Sequence, residues 1–381
     1  MSCKSSSSII DTLLRYDESW CSLMGYFNPY LDPFKHHLLG DVPVYDGGCY
    51  EKYKDQRFIY DKLWVAKSQG LHAGLVTKLL DDPETVSYPI FVKPRWGHKT
   101  SGSKYCQKIG AAGQLPSRSA AEKHELMWSE LLKGREGMTD FIVVKGRVVY
   151  EMAHECSNKQ HGFADAWKYT APRNRAPAPV REWVDQHLQG FTGIVNVQYR
   201  DDKIFEAGLR PARTGAYFAA TDNEALLRNV STAIANGKWN FEEQGQMTYK
   251  PFYSFKCHTR APVVYLWPQH LLDALMRRLT TRPFYEYYPE PTGSQGMVFL
   301  QFMHDNLEEG KKANAFLETL FTCTQWFFLL LAVVVAAALA ADWKHKWTLL
   351  AAATILYSTQ LFNSLSAPIR FTRARRAQAF T

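Results

Sequence analysis

The sequence predicts an α+β protein that ends in a membrane anchor, and three observations support this. Residues 56–240 alternate between helical and strand patterns and predict a core of two α+β subdomains. Residues 241–320 show the same mixture on a smaller scale, which predicts a small α/β extension. Two long uncharged runs then fill most of 321–369. A chain of 381 residues has room for two soluble domains and one smaller element.

Within the soluble part, turn residues separate short periodic segments. Residues 1–55 are aromatic and turn-rich and are predicted to form an irregular N-terminal arm. The first half of 56–240 predicts a helix in YDKLWVAKSQGL, a buried strand in YPIFVKP (88–94), a Gly/Ser/Lys loop and a helix at 119–128. The second half predicts two strands, EGMTDFIVV and GRVVYEMAH, joined at Lys145-Gly146. A helix at 180–189 and the hairpin GIVNVQYR–DDK–IFEAGLR follow. In 241–320 we expect strands at 263–267 and 297–303 and a helix near 269–279.

The two uncharged runs predict a transmembrane helical hairpin. No charged residue occurs for 23 positions after Glu318, and a second run of 23 extends from Trp347 to Ile369. Either length spans the ~30 Å hydrocarbon layer as a helix. A buried core helix is the alternative for the first run. An interfacial or partner-packed helix is the alternative for the more polar second run. A basic tail, 370–381, follows and is either solvated or close to anionic lipid headgroups.

Charge and cysteine content exclude some classes. The net charge is +8, but the segment from Asp342 to the end holds six basic residues against one acid, so the folded part is nearly neutral. This excludes a nucleic-acid-binding domain. Seven scattered cysteines without a CxxC pair indicate free thiols and a soluble domain on the reducing, cytosol-like side of the membrane. The first ten residues lack an apolar signal region, and Ser2 excludes N-myristoylation.

Several polar residues stand where strands end or face one another. Lys93 ends a predicted buried strand before a loop with Gly97 and Gly102, and such a loop can surround a polyphosphate with an ammonium and backbone N–H groups. Gln198 and Glu206 lie in facing strands of one hairpin, so their oxygens can converge on a hard cation. Arg210, four residues on, can bind a phosphate or carboxylate. A surface loop and a half-exposed hairpin are the ordinary structural alternatives.

A second group borders a glycine turn. Glu130 and Glu136 flank this turn in WSELLKGREGMTDFIVV, where a strand edge can offer backbone groups to a base and a carboxylate can accept from ribose hydroxyls. A solvated acidic turn is the alternative interpretation. A zinc site at His154, Cys156 and His161 is disfavoured, because the spacing H-x-C-x₄-H fits no common site.

The order of these elements resembles the nucleotide-binding core of the ATP-grasp superfamily, most of all that of carbamoyl-phosphate synthetase and biotin carboxylase. The resemblance rests on Asp61-Lys62, YPIFVKP, the glycine loop, SELLKGREGMTDF, GIVNVQYR and FEAGLRP, and covers about 180 of the 381 residues. It implies an ATP site between two α+β subdomains, with Mg²⁺ as the metal. It also implies a reaction in which a carboxylate attacks the γ-phosphate and the acyl-phosphate is captured by an amine or similar nucleophile.

The resemblance also implies residue roles. Lys62 and Lys93 would contact the phosphates, and loop 97–104 would close over them. The edge from Glu130 to Leu132 would hold adenine, and Glu136 the ribose. The remaining implied ligands are Gln198 and Glu206 for Mg²⁺ and Arg210 for the transferred phosphoryl, so that Arg210 and Lys93 are the implied catalytic groups.

Departures from the family pattern leave two hypotheses. The family has an Asn two residues after the metal-binding Glu, and here Gly208 takes that position. Trp96, His98 and Lys99 stand where small loop residues are common, and the arm before residue 56 is too short for the usual N-terminal domain. The first hypothesis is a membrane-anchored ligase acting on a small carboxylate. The second is a catalytically degenerate scaffold subunit of a membrane complex or particle.

Overall fold

The computed structural model describes most of the chain between residues 44 and 340. The described residues are 44, 46–97, 105–157, 159–161, 164–259, 275–279, 290–291, 297–340, 347–348 and 351. They group into two compact units. The core unit comprises the described parts of 30–158 and 168–251, and the C-terminal unit those of 159–167 and 252–381.

The core unit contains two antiparallel sheets and seven α-helices among its described residues. Its helices are α1 (Asp46–Lys52), α2 (Lys62–Ser68), α3 (Val76–Leu79), α4 (Arg118–Lys123), α5 (Ala178–His187), α6 (Ala216–Ala220) and α7 (Glu224–Asn236). The first sheet has the order β1-β4-β2-β3, with β1 (Ala73–Leu75), β2 (Ile90–Pro94), β3 (Gln107–Ile109) and β4 (Leu126–Glu130). The second has the order β11-β10-β5-β6-β9, with β5 (Glu136–Val144), β6 (Arg147–Cys156), β9 (Trp167–Thr170), β10 (Gly193–Arg200) and β11 (Lys203–Gly208).

Local sequence explains where these elements begin and turn. The Asp61 carboxylate accepts from the backbone N–H groups of Leu63 and Trp64 and so caps α2. Lys145 and Gly146 both have positive φ, 50° and 81°, which suits the tight turn that the sequence predicted between β5 and β6. The hairpin β10–β11 is confirmed, with Gln198 directly opposite Glu206.

One predicted helix is too long. The segment 119–128 was expected to be helical throughout, but α4 ends at Lys123 and β4 begins at Leu126. Glu125 between them has a φ of 47°, which stops the helix. Leu126 and Met127 are then buried as β4 pairs with β2, so tertiary pairing overrides the helical pattern.

The N-terminal arm is more ordered than the sequence indicated. Residues 46–52 form α1, and a 3-10 helix, Lys54–Tyr60, follows it within the core unit. Cys49, Ile59 and Tyr60 are buried in the same hydrophobic cluster as Phe141 and Val195 of the second sheet. Their burial fixes the first residue of α1, Asp46, against the core unit.

The longest elements among the described residues of the C-terminal unit are two antiparallel strands, joined by a short third one, and one long helix. Strands β12 (Phe252–Thr259), β14 (Met297–His304) and β13 (Glu290–Pro291) pair in the order β12-β14-β13, and a small ladder joins β7 (Lys159–His161) to β8 (Ala164–Asp165). Strand 297–303 is confirmed as β14. β12 was not expected from the sequence. Ser254 and Cys257 occupy buried positions in it, so apolar and polar residues do not alternate as in a typical strand. The expected strand 263–267 lies outside the described residues, and residues 275–279 of the expected helix 269–279 are helical.

Helix α8 (Leu307–Ala340) is continuous for 34 residues. It contains all but the last position of the first uncharged run and begins well before residue 321, where the hairpin was expected to start. Among the described residues, Leu307–Ala337 is the one helix long and apolar enough to cross a membrane by length and composition, and its apolar window of 18 residues has a mean hydropathy of 2.1. The second run lies outside the described residues, apart from helical positions 347, 348 and 351. The hairpin is therefore not confirmed.

Candidate active site

Two lysines and a glutamate form the centre of the candidate site in the core unit. Lys62 is the first residue of α2, and its Nζ lies 3.2 Å from Oε2 of Glu206 in β11. Lys93, in β2, donates from Nζ to the backbone carbonyl of Phe205 at 2.6 Å. These two lysines are 31 residues apart in sequence, yet their side chains converge on adjacent positions of β11, Phe205 and Glu206. This is the convergence that a polyanion-binding site requires.

Electrostatics couple these three groups. Burial raises the pKa of Glu206, but the charges of Lys62 and Lys93 outweigh burial and hold that pKa below its ordinary value. Burial and, after it, the neighbouring charge of Lys62 lower the pKa of Lys93 to about 8, against the opposing effect of Glu206. Two ammonium groups thus share one carboxylate, so a bound phosphate would relieve the repulsion between them.

Arg210 lies next to this cluster with its guanidinium held at two points. Its Nε lies 3.2 Å from Oδ1 of Asp46 at the start of α1. Its Nη1 is 3.4 Å from Oδ1 of Asn196 in β10. Burial lowers the pKa of Arg210, but Asp46, Tyr60, Asp140 and Glu206 together raise it, so the group stays cationic. The side chain is 22% exposed, which leaves part of it open to a ligand.

A buried polar network supports Asn196. Asp140, fully buried in β5, accepts from Nδ2 of Asn196 at 2.8 Å and from the backbone N–H of Ala212 at 2.9 Å. His154 lies 3.8 Å away, and burial lowers its pKa against the opposing effect of Asp140. Its Nδ1 lies 2.7 Å from Oγ1 of Thr170. His154 is therefore a packed core residue.

The hairpin offers oxygen donors that fit a hard cation. Because Gln198 and Glu206 are directly opposite in the antiparallel register, their side chains stand on the same side of the sheet. An amide oxygen and a carboxylate are the donor types that Mg²⁺ and Ca²⁺ prefer. Gly208 faces Asn196 in the same register, and a side chain built there would meet Asp46. The residues present fit the implied Mg²⁺.

The residues assigned to the base and ribose contact other partners. Oε1 of Glu130 accepts from the backbone N–H of His72 at 2.9 Å. Arg200 engages Oε2 of Glu136 at 3.1 Å and the carbonyl of Leu132 at 3.4 Å. The structure thus brings Leu132 and Glu136 together through Arg200, which sequence reasoning did not single out. Their adenine and ribose roles stay predictions.

The glycine loop is described at its start only. The backbone N–H of Gly97 donates to the Tyr60 carbonyl at 2.8 Å. A Cβ at Gly97 would lie 3.6 Å from the Lys62 side chain, so the loop leaves the sheet beside that lysine. Gly102, His98 and Lys99 lie outside the described residues.

Sequence reasoning missed Asp46, Asp140 and Asn196. Asn196 offered a signal, because it lies two residues before Gln198 and therefore on the same face of β10. Asp46 offered none, since it lies more than 150 residues from Arg210 and its turn-rich surroundings resemble an exposed arm.

The depressed pKa of Lys93 predicts a pH dependence for anion binding. Above pH 8 the free protein loses the Lys93 charge, so binding of a nucleotide phosphate must be accompanied by proton uptake. We expect ATP affinity to be constant below about pH 7.5 and to fall by up to tenfold per pH unit above pH 8. Calorimetry at pH 8.5 in two buffers of different ionisation enthalpy measures the uptake directly. Equal affinity at pH 7 and 9.5 would contradict this prediction.

The chain is similar to solved structures of other proteins at low sequence identity. No protein-family model and no curated protein matches the chain. Solved structures do match. An L-amino acid ligase from Bacillus licheniformis is 16% identical, with 69% of this chain and 70% of that chain covered and a TM-score of 0.47. A carboxyaminoimidazole ribonucleotide synthase from Aspergillus clavatus, complexed with ATP, is 15% identical over 68% and 71%, with a TM-score of 0.49.

A third match, from Archaeoglobus fulgidus, is described as an ATP-grasp superfamily protein. It is 13% identical and covers 65% of this chain and 64% of that one, with a TM-score of 0.36. At these identities and TM-scores, the similarity carries no argument about fold, activity, substrate or metal.

Proposed function

We propose that this protein is an ATP-grasp-type ligase that uses ATP and Mg²⁺ to activate a small carboxylate and joins it to an amine or similar nucleophile. The observation that carries the proposal is the convergence of Lys62, Lys93 and Arg210 around Glu206. Three cations and one carboxylate, gathered from three separate parts of the sequence, are what a site for a metal-bound polyphosphate needs.

Each residue then has a part in phosphoryl transfer. Lys62 and Lys93 neutralise the phosphate oxygens, and their burial strengthens that interaction. Glu206 and Gln198 would hold Mg²⁺, which would supply charge neutralisation of the phosphates. Arg210 offers donors in a fixed plane to the phosphoryl group in transfer, because Asp46 and Asn196 fix its orientation. Catalysis of this kind depends on positioning and charge rather than on covalent participation by the protein.

Helix α8 is the proposed membrane anchor. Its apolar window is long enough for the hydrocarbon layer, and only 13% of that window is buried within the protein. Leu330 and Val333 are more than half exposed, which supports contact with lipid rather than with a protein core. We propose that the active site serves a substrate or partner confined to the membrane surface.

A scaffold role is the second candidate. Gly208 in place of the family Asn favours it, because the metal site loses one side-chain oxygen on its own strand. A scaffold would have no use for a Mg²⁺-dependent nucleotide site, so the two candidates predict opposite results in a single binding experiment.

The deciding experiment measures ATP binding to the full-length chain in detergent, by calorimetry with and without Mg²⁺. For the ligase we expect micromolar to millimolar binding that needs Mg²⁺ and falls at least tenfold in Glu206→Gln. Asp202→Asn, at the turn of the same hairpin, is the matched control and should bind as the parent does. Lack of binding by the parent chain at millimolar ATP would overturn the ligase proposal and leave the scaffold.

A further inference from the structure

The position of the missing family side chain is filled from elsewhere in the chain. Gly208 ends β11, and a Cβ built on it would lie 3.1 Å from Oδ1 of Asp46. Asp46 reaches this position from the first residue of α1, 162 positions earlier in the sequence. A carboxylate oxygen is thus placed beside the point where the side chain of the family Asn would begin.

This oxygen lies on the same side of the sheet as the other donors. Glu206 and Gly208 are two residues apart in one strand, so the directions of their side chains agree. Gln198 and Asn196 oppose them across the register. The Cβ direction at 208 therefore points toward the side of the hairpin that carries Gln198 and Glu206, and it points at Asp46.

The ion pair with Arg210 orients Asp46 and leaves other lone pairs of its carboxylate available to a ligand. Oδ1 of Asp46 lies 3.2 Å from Nε of Arg210. A carboxylate has about four lone-pair sites on two oxygens, so one contact with an arginine leaves it able to bind a cation as well. Its side chain is 25% exposed, so a ligand in the site can reach it.

We propose that Asp46 supplies the third protein ligand of the Mg²⁺ site, in place of the side chain that Gly208 lacks. This inference rests on the proposed function. The two changes are linked by space: a Cβ at 208 would crowd Oδ1 of Asp46 at 3.1 Å, and its absence leaves room for Asp46. The chain has thus exchanged an amide ligand on β11 for a carboxylate ligand on α1, which adds one negative charge to the site.

The test is a four-variant cycle on the full-length chain with Mn²⁺ as the probe. Electron paramagnetic resonance measures Mn²⁺ affinity in the presence of ATP for the parent chain, Asp46→Ala, Gly208→Asn and the double variant. We expect Asp46→Ala to weaken Mn²⁺ binding at least tenfold. We expect the double variant to recover to within about threefold of the parent, because Asn at 208 then has both space and a ligand oxygen. Asp202→Ala is the control for loss of a carboxylate.

Three outcomes would overturn the inference. If Asp46→Ala lowers Mn²⁺ affinity and Gly208→Asn does not restore it, Asp46 acts only through Arg210. If Asp46→Ala leaves the affinity unchanged or raises it, Asp46 is not a ligand, although Mg²⁺-dependent ATP binding by the parent would still support the ligase. If the parent binds neither ATP nor Mn²⁺, the inference and the proposed function fail together.

Discussion

Replacing Lys93 with Met should weaken ATP binding by about 10- to 150-fold while the protein stays folded. The estimate corresponds to the loss of one charge-assisted hydrogen bond, about 1.5–3 kcal/mol. Lys93 is 6% exposed and donates to the Phe205 carbonyl, so a solvent-exposed group cannot readily take its place. Met keeps the length and much of the volume of the side chain. Calorimetry with the full-length variant measures the loss.

The control for this substitution is Lys203→Met on the adjacent hairpin. Lys203 is 44% exposed and pairs with Asp202 at 3.4 Å, so its removal alters net charge equally without touching the buried cluster. Circular dichroism and a thermal unfolding curve establish that Lys93→Met is folded. Parent-like ATP affinity in a folded Lys93→Met protein would refute the assignment of this cluster as the phosphate site.

The second large effect concerns α8. Replacing both Val333 and Val334 with Arg should convert the chain from a membrane-integrated protein to one that alkaline carbonate extracts. Each Arg at the centre of a span costs about 2.5–3.5 kcal/mol on the insertion scale, so two cost about 5–7 kcal/mol. Val333 is 58% exposed and Val334 is half-buried, so neither Arg replaces a fully buried side chain.

A conservative pair of substitutions separates charge from sequence change at this position. Val333→Leu with Val334→Leu keeps the segment apolar, and this variant should stay in the carbonate-resistant fraction. If the double Arg variant also stays there, α8 is not the anchor, and the second uncharged run, Trp347–Ile369, becomes the segment to test.

Local pattern was a good guide wherever neighbours in sequence are also neighbours in space. The Lys145-Gly146 turn, the hairpin from Gly193 to Gly208 and the pairing of Gln198 with Glu206 could all be predicted, because register in a short hairpin follows from its turn. The same reasoning indicated a lysine at the end of a buried strand. It could not indicate that Lys93 binds the Phe205 carbonyl, a contact across 112 positions.

Long-range polar contacts could not be predicted from the sequence. Asp46 lies in a segment with the composition of an exposed arm, and the burial of Cys49, Ile59 and Tyr60 helps to hold α1 beside Arg210. No periodicity in the sequence encodes that approach. The strand β4 was missed for a related reason: pairing with β2, and not local propensity, decides the conformation of 126–130.

The start of α8 also determines how the C-terminal unit would move on a bilayer. Three positions four residues apart face β12: Gly310 admits the Phe255 ring, Asn314 accepts from the Cys257 thiol at 3.2 Å, and Glu318 accepts from the His258 backbone at 2.8 Å. These contacts fix the rotation of the helix about its own axis. Over its described residues the helix is continuous from these contacts into the apolar run. If α8 is anchored in lipid, α8 and β12 tilt as one rigid element. A change in lateral pressure or bilayer thickness that tilts α8 would therefore tilt β12 by the same angle.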